Sequence, residues 1–199
     1  MKNLNRLIAD VKKTAKANGI KVKLTPHKKV RIRGGYCSGY FDSEILLVAT
    51  GAKKKHWAYV FVHESCHMDQ MLEGVSFWED SDQALQDFDS WISDEITLTK
   101  AKQIHMIETI QNMERDCEKR TIKKILKYDL PIDVEEYAQL ANIYLYSYVF
   151  MRDYKVWRSF TGIQHELKKY VKKKINSSHK RIPAGLYTKF KEHAKIDTH

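Results

Sequence analysis

The run KKHWAYVFVHESCHMDQML, residues 54–72, decides how the rest of the chain is read. It holds no Gly or Pro and predicts one helix. Four residues of helix turn roughly 400°, so His63 and His67 leave the same face one turn apart. Two imidazoles placed this way can share one tetrahedral zinc. Glu64 can then hydrogen-bond a zinc-bound water and take its proton, because the metal brings the pKa of that water close to neutral. The preceding AYVFV (58–62) is apolar, and Ser65 and Cys66 between the histidines are small and uncharged. Both features suit a helix in the core of a small protein. An ordinary helix that happens to carry two histidines has the same spacing.

On the N-terminal side of this helix the hydrophobic period changes. Residues 2–18 read as an amphipathic helix, with Leu4, Leu7, Ile8 and Val11 on one side and Gly19 as its stop. KVKLT, KVRIR, YCSGYF and EILLVAT then read as a sheet of three or four strands, broken at Thr25-Pro26, Gly34-Gly35 and Asp42-Ser43. An edge strand of that sheet could hold a peptide above the histidines. Tyr36 and Tyr40 are expected on it, as packing residues or as hydrogen-bond donors. On the C-terminal side, residues 73–96 are acidic, contain no Lys or Arg, and predict a short helix. Residues 97–128 read as one long helix ended by Pro131, and 133–158 as a Tyr-rich helix closed by Trp157. The predicted fold class is therefore α+β: a small β-sheet packed on the histidine-bearing helix, with further helices C-terminal to it. Residues 1–161 are expected to form the main domain, and 162–199 a basic helical extension of it.

Two histidines do not complete a catalytic zinc site, which takes three protein ligands and water. A His-x-x-Gly-x-x-His continuation is excluded, because Gln70 and Glu73 stand where it needs Gly and His. His105, the next histidine, has no special context. A glutamate on a later helix, followed four residues on by a second acid, occurs in NMERDCEKR as Glu114 and Glu118. Glu114 falls on the apolar side of its helix with Ile107 and Ile110, where a carboxylate needs a cation or donors to offset desolvation. Glu118 would take the Nδ1–H of His63. Asp116 is the rival ligand, and a Glu114 paired with Lys or Arg on a solvated face is the non-metal alternative. For the oxyanion that amide hydrolysis develops, Tyr146, Tyr148, Arg152 and Tyr154 are candidate donors or core packing, with Tyr148 the leading candidate.

The 199 residues carry a formal net charge of +10, which favours an acidic partner. The tail alternates Leu167, Tyr170, Val171 and Ile175 with Lys168, Lys169, Lys172 and Lys173, predicting a helix with a basic face. That face would contact nucleic-acid phosphates, dock on the acidic 73–96 segment, or simply be solvated. Cys37, Cys66 and Cys117 are too few for a disulfide framework. Cys66 is expected to be a small buried residue, Cys117 to pack beside the glutamates, and Cys37 to be a candidate thiolate lid over the metal. No signal peptide or membrane span is evident, so a cytoplasmic protein with no membrane partner is expected.

With HESCH at 63–67 and ERDCE at 114–118, the chain resembles gluzincin-type zinc metallopeptidases with a minimal zincin fold, such as the ImmA/IrrE and SprT-like groups. CSGYFD, VHESCHMDQ, ERDCEKR and ANIYLYSYVFMRDYKVW together are similar to metallopeptidases encoded by tailed bacteriophages, over about residues 35–160. The resemblance implies a zinc-dependent endopeptidase acting on a protein or peptide, with zinc held by His63, His67 and Glu114, Glu64 as general base and Glu118 behind His63. The alternative is a non-enzymatic module on the same fold that binds nucleic acid or protein. Asp69 departs from the family pattern, which has an apolar residue there, and SprT-like proteins use a third histidine that this chain does not place suitably.

Overall fold

The computed structural model describes residues 2–32 and 35–195. They form an α+β fold, as predicted: seven α-helices, one three-stranded sheet and one two-stranded sheet. The chain divides into two compact units, each built from two separate stretches. The first is Met1–Val75 with Cys117–Ile132, and the second is Ser76–Asp116 with Asp133–His199.

In the first unit, helix α1 (Lys2–Ala17) buries Leu4, Leu7, Val11 and Ala15, the three- and four-residue spacing of a single stripe. Gly19, at φ 73°, turns the chain out of it, in the left-handed region where a side chain is strained. The larger sheet has the order β1 (Lys21–Thr25), β5 (Ile45–Ala49), β4 (Gly39–Phe41). β1 runs parallel to β5, and β4 antiparallel to it as the terminal strand. β2 (Val30–Ile32) and β3 (Gly35–Cys37) form a separate antiparallel ribbon. The YCSGYF stretch is thus two strands parted at Ser38, not one. Of the expected Gly34-Gly35 break, Gly34 lies outside the described residues. Leu46 and Val48 are fully buried on one face of the sheet. Helix α2 (Lys54–Leu72) packs against β4 and β5. It buries Phe61, Val62, Ser65, Cys66, His67, Met68 and Gln70, which leaves it little solvent-facing surface along that stretch.

The second unit holds α3 (Trp78–Ile92), α5 (Val134–Tyr154), the single turn α6 (Gln164–Leu167) and α7 (Ala184–Ala194). Phe88, Trp91, Met106, Ile107, Ile110 and Tyr148 form one core cluster. Ile143, Phe150, Phe160, Leu186 and Phe190 belong to another. Helix α4 (Lys100–Lys127) is continuous through the boundary between the units. It stops before Pro131, with Asp129 at φ 45°. α3 is 15 residues long rather than short. Asp133 caps α5 by accepting from the backbone N–H of Glu135 and Glu136. Lys155, at φ 48°, ends that helix before Trp157, whose ring is 58% exposed and does not close it.

The tail corrects its expected helix. After α6 come a 3-10 turn (Lys168–Tyr170) and an irregular stretch. Asn142, fully buried on α5, donates to the carbonyls of Lys172 and Lys174 and accepts from the N–H of Asn176 and from Nε2 of His179. One tertiary anchor thereby satisfies backbone groups that a helix would otherwise pair, and it relieves a helix crowded with like charges. Among the described residues, no helix is long and apolar enough to cross a membrane.

Candidate metal centre

The geometry starts with helix periodicity. His63 and His67 project together from α2, and their Nε2 atoms are 3.1 Å apart with the rings edge-on. The nitrogen on the far side of each ring has its own acceptor. Nδ1 of His67 lies 2.9 Å from Oε1 of Gln70, a fully buried side chain. Nδ1 of His63 lies 3.4 Å from Oε1 of Glu118, which is also buried. Each Nδ1 faces an acceptor and can donate to it, which leaves the two Nε2 atoms facing each other across a gap that a proton or a metal cation can bridge.

The field at His63 has the same sense. Burial works against a charge there. The Cys117 sulfur and the Glu118 carboxylate beside it more than offset this, and hold the imidazole pKa well above its usual value. Cys117 does not merely pack beside the glutamates: its Sγ is 3.6 Å from Nδ1 of His63 and 3.4 Å from the His63 carbonyl oxygen. Behind it, burial and the Cys117 neighbour push the Cys66 thiol up to about 12, so Cys66 is an inert buried thiol, as expected.

Glu114 stands one turn before Glu118 on the uninterrupted α4, so helix geometry puts both carboxylates on one face. It is buried. Its Oε1 accepts from the Tyr144 hydroxyl at 3.1 Å and lies 3.5 Å from the Tyr148 hydroxyl, and the two phenols are themselves 2.6 Å apart. Burial and the Glu114 charge hold the Tyr144 phenol well above its usual pKa, so it stays a donor. Within the first unit, His63, His67 and Cys117 can hold a metal ion, their ligand atoms lying within 4.8 Å of one another.

Glu64 follows His63 on α2, next to the terminal strand β4. At Gly39 the strand lies so close to α2 that a Cβ would fall 2.2 Å from Cγ1 of Val60 and 2.9 Å from Cγ of Glu64. Cys37, at the end of β3, is partly buried. Burial and then the Glu64 charge raise its pKa, which favours the neutral thiol. Asp69, the departure from the resembled pattern, pairs at 2.6 Å with Lys124 of α4, which also donates to the carbonyl and hydroxyl of Ser65.

Of the four candidate donors on α5, Tyr148 reaches Glu114. Tyr146 instead accepts from Asn176, Arg152 pairs with Asp153, and Tyr154 bonds Tyr187. Tyr36 does not pack, being 72% exposed. Gln70, Cys117 and Tyr144 were not among the expected partners. Gln70, three residues after His67, and Tyr144, four before Tyr148, are visible from helix spacing. Cys117 is not, because its approach to His63 is tertiary. The chain matches no family model, and no curated protein or solved structure matches it.

Proposed function

We propose that this chain is a zinc-dependent endopeptidase, in which His63, His67 and Glu114 hold the metal and Glu64 is the general base. The observation that carries the reading is the pair of Nε2 atoms facing each other at 3.1 Å, with Glu64 next to His63 in the sequence. Tetrahedral zinc with bonds of ~2.0–2.1 Å sets two ligand nitrogens ~3.3 Å apart, close to that separation. Bound zinc would supply a Lewis acid that acidifies water and polarises a carbonyl. Gln70 and Glu118 hold the Nδ1 side of the two histidines, and Tyr144 orients Glu114. Glu64 takes a proton from water and returns it to the leaving amine. A substrate main chain aligned with β4 would present its carbonyl at Glu64. Tyr148 is the candidate donor to the developing oxyanion.

The test is Glu64→Gln, assayed for metal by elemental analysis and for cleavage of a protein mixture. The proposal expects about one zinc per chain in both proteins, with cleavage in the wild type alone. Loss of zinc along with cleavage would make Glu64 structural and sink its role as base. Cys117 supports a second reading, a non-catalytic module whose metal is closed off by His63, His67 and the Cys117 thiolate. Cys117→Ser separates the two: it keeps zinc and cleavage in the peptidase, and loses zinc in the module.

A further inference from the structure

Three of the tail's cations already stand against carboxylates. Lys168 pairs with Glu136, Lys173 with Glu135 and Lys180 with Glu108. The first unit differs. Between residues 11 and 41 the sequence carries nine Lys and Arg and no Asp or Glu. Lys23, Lys28, Lys29 and Arg31 from this stretch line one groove of about 510 Å³, with Leu47 and Tyr36. Lys23 stands opposite Leu47 in the β1–β5 register, and both alternate with the buried Leu46 and Val48, so they lie on the other face of the sheet. Among the described residues, no carboxylate pairs with Lys23, Lys28 or Arg31. Lys29 donates to the Ser38 hydroxyl at 3.1 Å.

Tyr36 is the second observation. Its side chain is 72% exposed, on a three-residue strand beside four cations. A ring left in water contributes little to folding. A ligand that uses both features carries regularly spaced negative charges and flat, unpaired apolar faces. Single-stranded nucleic acid has both. A duplex hides its base faces by stacking, and an acidic peptide has charge without the rings.

We propose that this groove binds single-stranded nucleic acid, with Lys23, Lys28, Lys29 and Arg31 against the phosphates and Tyr36 stacked on a base. The proposal does not depend on the metal centre. It is tested by fluorescence anisotropy of a labelled oligothymidylate with the full-length Glu64→Gln protein, which removes any cleavage. Binding is expected at low salt and should weaken steeply as salt rises. Replacing the four cations with Gln should cut affinity at least about tenfold and reduce the slope of log K against log salt by roughly 3, at ~0.7 per phosphate contact. The same change at Lys168, Lys169, Lys172 and Lys173 should leave binding as it is. Tyr36→Ala should weaken single-strand binding on the order of tenfold while Tyr36→Phe restores it, with duplex binding unmoved by either. Circular dichroism and metal content establish that each variant is folded. The proposal is overturned if no binding occurs at low salt, if the four-cation variant binds like the parent, or if Tyr36→Ala has no effect on the single strand. It is equally overturned if polyglutamate of matched charge displaces the oligonucleotide as well as unlabelled oligonucleotide does.

Discussion

His63 and His67 present the same atom, Nε2, because different residues hold their other nitrogens. Removing the hold should loosen a metal without removing a ligand. Gln70→Leu and Glu118→Gln are each expected to weaken zinc affinity about 10–100-fold, read by competition with a chromogenic chelator. On the proposed peptidase reading, Glu64→Gln should cost roughly 10²–10⁴ in turnover at unchanged zinc content. Gly39→Ala drives a methyl into Val60 and Glu64, and should cost about 1–3 kcal/mol in denaturant unfolding. The shared face of His63 and His67 was legible in the sequence because it is local, set by one turn of helix. So was that of Glu114 and Glu118, one turn apart on α4. The roles of Cys117 and Tyr144 were not, since no local period encodes which turns of which helices meet.

The elements follow the hydrophobic periods closely where burial is one-sided. α1 shows its stripe, and β5 shows the alternation of Leu46 and Val48 against Leu47. The readings fail where tertiary contacts outbid local ones. The tail cannot be a regular helix while Asn142 holds the carbonyls of Lys172 and Lys174. Nor does any period reveal that Ser38 parts β3 from β4. Lys124 fastens the last turns of α4 to α2 through Asp69 and Ser65. Lys124→Met leaves those acceptors unmet and should lower stability by about 1–2 kcal/mol, a value reduced for the partial exposure of Asp69. A urea titration of the purified variant checks this, and its zinc content should match the parent. Asp133→Ala removes the α5 cap and should cost about 1 kcal/mol by the same measurement.

Across the molecule, acid is the condition to which the fold should respond through a group outside the metal centre. Burial, and then the Arg115 charge, hold His179 down to about 3 from an ordinary 6.5. The native state keeps this ring neutral, donating from Nε2 to Asn142. As pH falls below 6.5 the unfolded chain takes a proton that the folded one refuses until about 3, so the contribution of His179 is complete above 6.5 and is lost across that interval. The loss should reach a few kcal/mol. Unfolding midpoints at pH 7 and pH 5 should differ more for the wild type than for His179→Gln.

The interleaved stretches of the two units also set an order of assembly. The first unit takes Met1–Val75 and then waits for Cys117–Ile132. On a ribosome, His63 and His67 emerge well before Cys117 and Glu118. The grouping of His63, His67 and Cys117 that can hold a metal ion therefore cannot form until that part of α4 has left the exit tunnel. If the centre hydrolyses peptides, it is inert while its own neighbours are still being made. The same interleaving means that no single cut in the gene releases the first unit whole.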